Sequence, residues 1–318
     1  MTMQTADTPP SQKQWGRIVR GFAIGLAALF LARALYTNWR KIPPQSLEIH
    51  PWWICLAVVG ILGTILLQAV SWGMVLRFLG QEVGWSQGIR LWTVAQTAKY
   101  VPGSIWNWVA RIYLSGREGM SLRITTLSIL LENVFLVLAC LLIVGVLGIP
   151  VDWFARLRWL ILLPTLLIGL LFIFWPHLLT RIAGRLRREN HKPPFSIGSK
   201  EVLMTATLYL LNMLLGGLVW FPFVRIFYRV PPSALPGLVG SVLFAFVVGY
   251  LAVFVPQGWG VREGLLSVLL AHYMPEPVAV VVAILSRVWI IGGEVTVLGI
   301  VLLLSYFQRV IDQHHAGR

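Results

Sequence analysis

Charge is what this chain has least of. Only 12% of its 318 residues are Asp, Glu, Lys or Arg, about half the share in a soluble domain. So little charge cannot cover a water-facing surface of that size, which excludes an ordinary soluble enzyme. Acids are the scarcest, 12 against 26 Lys and Arg, giving a formal net charge of +14. The two cysteines, Cys55 and Cys140, fall in different apolar runs, which excludes a disulfide framework and makes both expected core residues. The six histidines, His50, His177, His191, His272, His314 and His315, lie at run ends or between runs without metal-ligand spacing. No phosphate-binding glycine loop, nucleophile elbow or paired-carboxylate motif is present. The expectation is therefore no enzyme, no catalytic residue, no metal site and no cofactor. Lacking an ATPase motif as well, the chain would need an ion gradient or a partner for any uphill transport.

Apolar sequence is what it has in excess, 57% hydrophobic residues with a mean hydropathy of +0.77. Crossing a hydrocarbon core takes about 20 apolar residues. Runs of that length cover 18–37, 52–79, 122–148, 157–176, 201–224 and 277–307. The expected fold is an all-α integral membrane protein with about six full transmembrane helices. A disordered cytoplasmic tail (1–14), a single polytopic membrane domain (15–310) and a second cytoplasmic tail (311–318) divide the chain. No cleavable signal peptide is read, because the first apolar run ends at Arg40-Lys41 without a small-residue cleavage site. The segment 177–200 holds Arg181, Arg185, Arg187, Arg188, Lys192 and Lys200, the mark of a cytoplasmic loop. Counting spans from it places both termini in the cytoplasm and the protein in the cell inner membrane. The loop bases read first as topology signals and second as contacts for anionic lipid. They are scattered over several loops, so no nucleic-acid partner is expected.

Two more apolar stretches, 85–118 and 234–274, are broken by related phrases. These are Lys99-Tyr100-Val101-Pro102-Gly103 and Val253-Phe254-Val255-Pro256-Gln257-Gly258. Backbone groups freed by such a break find no partner in lipid and must face protein or a cavity. Arg111, Arg117 and Glu118 follow the first break, and Arg262 and Glu263 the second. Both stretches are read as re-entrant helical hairpins with two half-length arms. An offset of 154 places Tyr100-Val101-Pro102 on Phe254-Val255-Pro256. It also places Ile129-Leu130-Leu131-Glu132-Asn133 on Ala283-Ile284-Leu285-Ser286-Arg287. Repeat A would cover about 52–148 and repeat B about 201–307, linked by span 157–176 and the basic loop. That odd span inverts the second repeat, so breaks at Pro102, Gly103, Pro256, Gly258 and Gly260 would meet near the midplane. Chance likeness between apolar segments is the alternative.

Lys99, Arg111, Glu132, Arg262, Glu263, Arg287 and Glu294 all fall in or beside membrane segments. A central charge costs about 2.5–3.5 kcal/mol on insertion scales, so it faces a cavity or a partner. Arg262 and Glu263 open a short helix after Gly258-Trp259-Gly260, where N–H groups and a guanidinium suit a phosphate oxygen. Lys99 and Arg111 bracket the first break and offer a second cationic contact. Glu132 and Glu294 would neutralise these bases or receive the amine of a head group. Internal ion pairs that fix the hairpins are the other reading, with most force for Glu132, Arg287 and Glu294. Asn107, Asn133 and Asn212 are expected to hydrogen-bond between helices.

Lys99-Tyr-Val-Pro-Gly103, Trp106, Arg111, Leu131-Glu-Asn133, Pro256-Gln-Gly-Trp-Gly-Val-Arg-Glu-Gly264, Arg287 and Glu294 together resemble the lysylphosphatidylglycerol synthase transmembrane family. The resemblance covers about 15–308. It implies movement of anionic, aminoacylated, glycosylated or polyprenyl-linked lipid across the membrane, with both hairpins lining the central cavity, and allows a homodimer. The soluble synthase domain of that family is missing, so no lipid synthesis is expected. Gln257 and Trp259 stand where the family favours small residues, which would reshape the cavity. The expected function is a lipid flippase or scramblase acting by alternating access. Two alternatives stand beside it. One is an accessory subunit that presents lipid to a separate lipid-modifying transferase; the other is a small-solute transporter on the same architecture.

Overall fold

The structure, a computed structural model, describes residues 25, 29–42, 50–101, 105–187, 197–252 and 258–316. Pro102, Gly103, Pro256, the 1–14 tail and residues 188–196 of the basic loop lie outside them. Among the described residues every regular element is helical.

A helix over 29–39 (α1) leads into α2 (Pro51–Phe78), which starts on a proline and is apolar on every side. Such a helix is enclosed by protein or lipid all round, and proline suits a first turn, where its missing N–H has no intrahelical partner anyway. Next come α3 (Trp85–Gln96), a 3₁₀ turn (Thr97–Tyr100) and α4 (Trp106–Arg117). The hydroxyl of Ser121 accepts the N–H of Ile124 and opens α5 (Leu122–Leu147). Gly148, at φ +78°, ends α5 where a side chain would be strained. The segment α6 (Asp152–Phe174) bends by 67° into α7 (Pro176–Arg187), because a helix rarely continues through the residue before a proline. The second half runs through α8 (Ser199–Leu218), α9 (Trp220–Arg225), α10 (Leu235–Leu251), α11 (Val261–Leu270) and α12 (Glu276–Ala316).

Five helical segments are long and apolar enough to cross a membrane: Pro51–Phe78, Leu122–Leu147, Ser199–Arg225, Pro232–Leu251 and Glu276–Gln308. The bent α6–α7 pair makes a sixth if counted as one span. The expected run 18–37 is described only in part and carries no count. Each half presents a long helix, two helices packed on each other across a break, then another long helix. In the first half the arms are equal, 12 residues each. In the second they are not. Residues Leu235–Leu251 carry no charge at all, so α10 extends to 17 residues and with its leading turn reaches span length. The expected half-length first arm is a full-length apolar segment instead, and α11 is the short one, with 10 residues.

The core centres on α5, which packs against α2, α4, α6, α8 and α10. Trp72 and Tyr209 are fully buried there, and Tyr209 stacks on Phe135 at 5.8 Å. Cys140 joins this core, but Cys55 is exposed on α2. An apolar residue facing lipid gains nothing from protein burial, so its hydrophobicity alone cannot place it inside. Trp39, Trp52, Trp85, Trp153 and Trp159 are also exposed near helix ends, as interfacial aromatics are.

Candidate functional site

Two groups of buried charge lie inside this bundle. The first gathers on the carboxylate of Glu132 in α5, which four other helices reach or support. Arg111 of α4 donates to Oε2 and forms an ion pair. Trp92 of α3 donates its indole N–H to Oε1 at 3.0 Å, and Gln68 of α2 donates to the same oxygen at 3.1 Å. Asn212 of α8 in turn donates to the carbonyl oxygen of Gln68. The guanidinium of Arg111 also lies over the Trp72 ring at 4.8 Å. Arg111 is 2% exposed and Glu132 4%. The two charges balance each other, and both carboxylate oxygens accept hydrogen bonds, which is what a desolvated ion pair requires to be tolerated, while Arg111 Nε and Asn212 Oδ1 are buried without a partner.

The second group joins the two halves. From the 3₁₀ turn after α3, Lys99 pairs with Glu294 of α12, and Tyr100 donates its hydroxyl to the other carboxylate oxygen at 2.5 Å. About two turns of α12 nearer its start, Arg287 donates to Glu263 of α11 at 2.7 Å. Glu263 uses its second oxygen to accept the N–H of Gly260 at 2.8 Å. Gly260 can sit there because its φ of +83° costs glycine nothing. The start of α11 is thus capped partly by its own carboxylate, and the nearby group left open is the guanidinium of Arg262.

Arg262 is 8% exposed. The charges acting on it are those of Arg287, Glu263 and Glu294, and both carboxylates are engaged elsewhere. Its hydrogen bond goes to the Ser286 hydroxyl, at 3.5 Å, and its guanidinium faces the Trp220 ring at 5.6 Å. Among the described residues no carboxylate lies within ion-pair distance of it. A cavity of about 30 Å³ lies beside Glu294, lined by Trp92, Gln96, Tyr100 and Ile65 among others. It has room for a water but not for a lipid head group.

The seven charged residues read from the sequence therefore separate into two sets. Lys99, Arg262, Glu263, Arg287 and Glu294 come together, while Arg111 and Glu132 form a closed pair of their own. Gly258 and Gly260 border the first set; Pro102, Gly103 and Pro256 lie outside the described residues. Asn107 bonds Gln96 at 3.4 Å, Asn212 bonds Gln68, and Asn133 receives the hydroxyl of Tyr250, all between helices. Sequence reasoning missed Gln68, Trp72, Trp92, Trp220 and Ser286. Gln68 had a signal, being the single amide in a 28-residue apolar helix, where a polar side chain needs a partner. Ser286 had only its place opposite Glu132 under the 154-residue offset, which assigns no role to a serine until its partner is seen.

No curated protein matches the chain. Residues 18–306 match the family described as the lysylphosphatidylglycerol synthase TM region. With five candidate spans and that match over most of its length, this multi-pass membrane protein belongs to the lysylphosphatidylglycerol synthase TM family.

Proposed function

We propose that the protein is a lipid flippase or scramblase of the cell inner membrane, with both termini cytoplasmic and no enzymatic activity of its own. One observation carries this reading: Arg262 is buried, charged and faced by a hydroxyl where a carboxylate would be needed to balance it. A buried guanidinium without a counter-ion is costly, and an anionic lipid head group would remove that cost with charge-assisted hydrogen bonds. Arg287 and the ring of Trp220 frame the same place, while the acyl chains would stay in the bilayer.

The two broken segments serve as the hairpins of an inverted repeat, the second with one span-length arm, and rocking of one half against the other exposes the site to each leaflet in turn. The contact of Lys99 and Tyr100 with Glu294 bridges the halves and would part during that motion. The cavity of about 30 Å³ beside Glu294 fits a closed state that must open before a head group can enter. Charge reversal tests this bridge. Lys99→Glu and Glu294→Lys are each expected to slow translocation about tenfold or more, and the double variant to recover part of it. Equal rates in both single variants and wild type would remove the bridge from the cycle.

The direct test is head-group translocation in reconstituted vesicles. Fluorescent phosphatidylglycerol in the inner leaflet becomes accessible to a membrane-impermeant quencher if the protein moves it. Wild type is expected to abolish inner-leaflet protection, and Arg262→Ala, at equal protein density, to keep it. Wild-type rates in Arg262→Ala would detach the arginine from transport. Full protection in both, with a transferase co-purifying, would favour the accessory-subunit reading.

A further inference from the structure

At the position facing the buried guanidinium the two halves carry different residues, and that difference defines what the second site accepts. In the first half, Arg111 reaches from the short helix α4 to Glu132 on the following long helix. In the second, Arg262 reaches from the short helix α11 to Ser286 on the following long helix. The 154-residue offset that aligns the two breaks places Glu132 on Ser286. Under the same offset Arg111 falls on Leu265, one helical turn from Arg262. Each guanidinium lies near a tryptophan, Trp72 in one half and Trp220 in the other. The local construction is thus repeated, except that a carboxylate becomes a hydroxyl.

From this we infer that Ser286 holds open the place of one carboxylate, and that the site takes a lipid head group carrying a single negative charge, a phosphodiester. The inference rests on the lipid-binding reading given above. Its reasoning is electrostatic. Arg287 is balanced by Glu263 and Lys99 by Glu294, so Arg262 is the cation of this cluster that faces no carboxylate within ion-pair distance among the described residues. A monoanionic phosphodiester matches it charge for charge and offers two acceptor oxygens to a forked donor. A second negative charge would stand uncompensated in the same desolvated space, beside the Glu263 and Glu294 carboxylates. Diphosphate-linked prenyl lipids, with more than one charge, are disfavoured on that count. Neutral lipids leave Arg262 unbalanced.

Ser286 is the specificity determinant in this scheme because it brings no charge to the place where the first half has a carboxylate. A glutamate there would reach the guanidinium as Glu132 reaches Arg111 and close the site from within.

The experiment is equilibrium binding to the purified full chain in detergent, by calorimetry. The probes are dioctanoyl-phosphatidylglycerol, dioctanoylglycerol and farnesyl diphosphate. Wild type is expected to bind the phosphatidylglycerol probe about tenfold or more tightly than either of the others, the scale of one charge-assisted contact. Ser286→Glu is expected to weaken it by about 10- to 100-fold. Ser286→Gln, equal in size but uncharged, is expected to bind at least several-fold more tightly than Ser286→Glu. Ser199→Glu, the same change at an exposed position at the start of α8, controls for net charge. Thermal unfolding of each variant guards against loss through misfolding. Equal losses in the Glu and Gln variants, unchanged binding in Ser286→Glu, or tighter binding of the diphosphate would each overturn the inference. Selective binding with no translocation in vesicles would leave it standing and overturn the flippase reading instead.

Discussion

Glu132→Ala is expected to destabilise the protein by about 3–5 kcal/mol, the usual result of breaking a buried ion pair from one side. The carboxylate balances Arg111 and accepts from Trp92 and Gln68. Its removal leaves a guanidinium, an indole N–H and an amide without their acceptor, all in the packed centre of the bundle. Glu132→Gln retains an acceptor for the neutral donors but not the charge, and should fall between alanine and wild type. The decisive variant is the double one. Arg111→Met with Glu132→Leu replaces the pair by apolar volume and is expected to recover most of the lost stability. Thermal unfolding in detergent, followed by tryptophan fluorescence, measures all three against wild type. An unfolding midpoint for Glu132→Ala within error of wild type would show that the pair does not hold these helices together. Failure of the double variant to recover would mean that the site needs an anion for a reason beyond balancing Arg111.

That experiment also separates two kinds of buried charge which look alike in the sequence. Hydropathy marks Arg111, Glu132, Arg262 and Glu294 equally, as charges in segments that should be apolar. What distinguishes them is pairing, and pairing is a property of the assembled bundle. Lys99 and Glu294 meet across 195 positions of chain, a distance that no local pattern carries. Lys99 and Arg111 stand 12 apart in sequence on either side of the first break, so they read naturally as one site. The 3₁₀ turn sends Lys99 to α12, while α4 turns Arg111 inward to α5. Helix type and order were legible because they depend on uninterrupted apolar length, on proline and glycine, and on the positions of bases. The length of α10 is not legible from the break, because a Pro-Gly interruption does not by itself require short arms on both sides. Leu235–Leu251 contains nothing that would stop a helix. The serine at 286 was visible all along, but it acquires meaning only when Arg262 is seen to face it.

Gly258→Ala is expected to abolish lipid binding at the second site, and the reason lies in how closely the chain folds back on itself there. Gly258 has a φ of +62°, and a Cβ on it would sit 2.4 Å from the carbonyl oxygen of Gly249 and 2.8 Å from its Cα. Strain at such a φ costs about 1–3 kcal/mol for a residue with a side chain. The clash adds to it, because backbone cannot turn aside as a flexible side chain can. Gly249 is equally constrained, since a Cβ there would come within 2.7 Å of the Cβ of Arg262. The end of α10 therefore lies directly against both the turn and the first residues of α11, and this contact sets where the guanidinium points. Gly249→Ala should displace Arg262 without altering its chemistry, weakening phosphatidylglycerol binding about tenfold. The matching change at an unconfined glycine gives the control. Gly292 on α12 has no atom within 4 Å of an added Cβ, so Gly292→Ala should bind as wild type does. Equal binding by Gly249→Ala and Gly292→Ala would mean that the position of Arg262 is not set by this contact. Loss in Gly249→Ala alone would show that the packing of α10 against α11 positions the arginine.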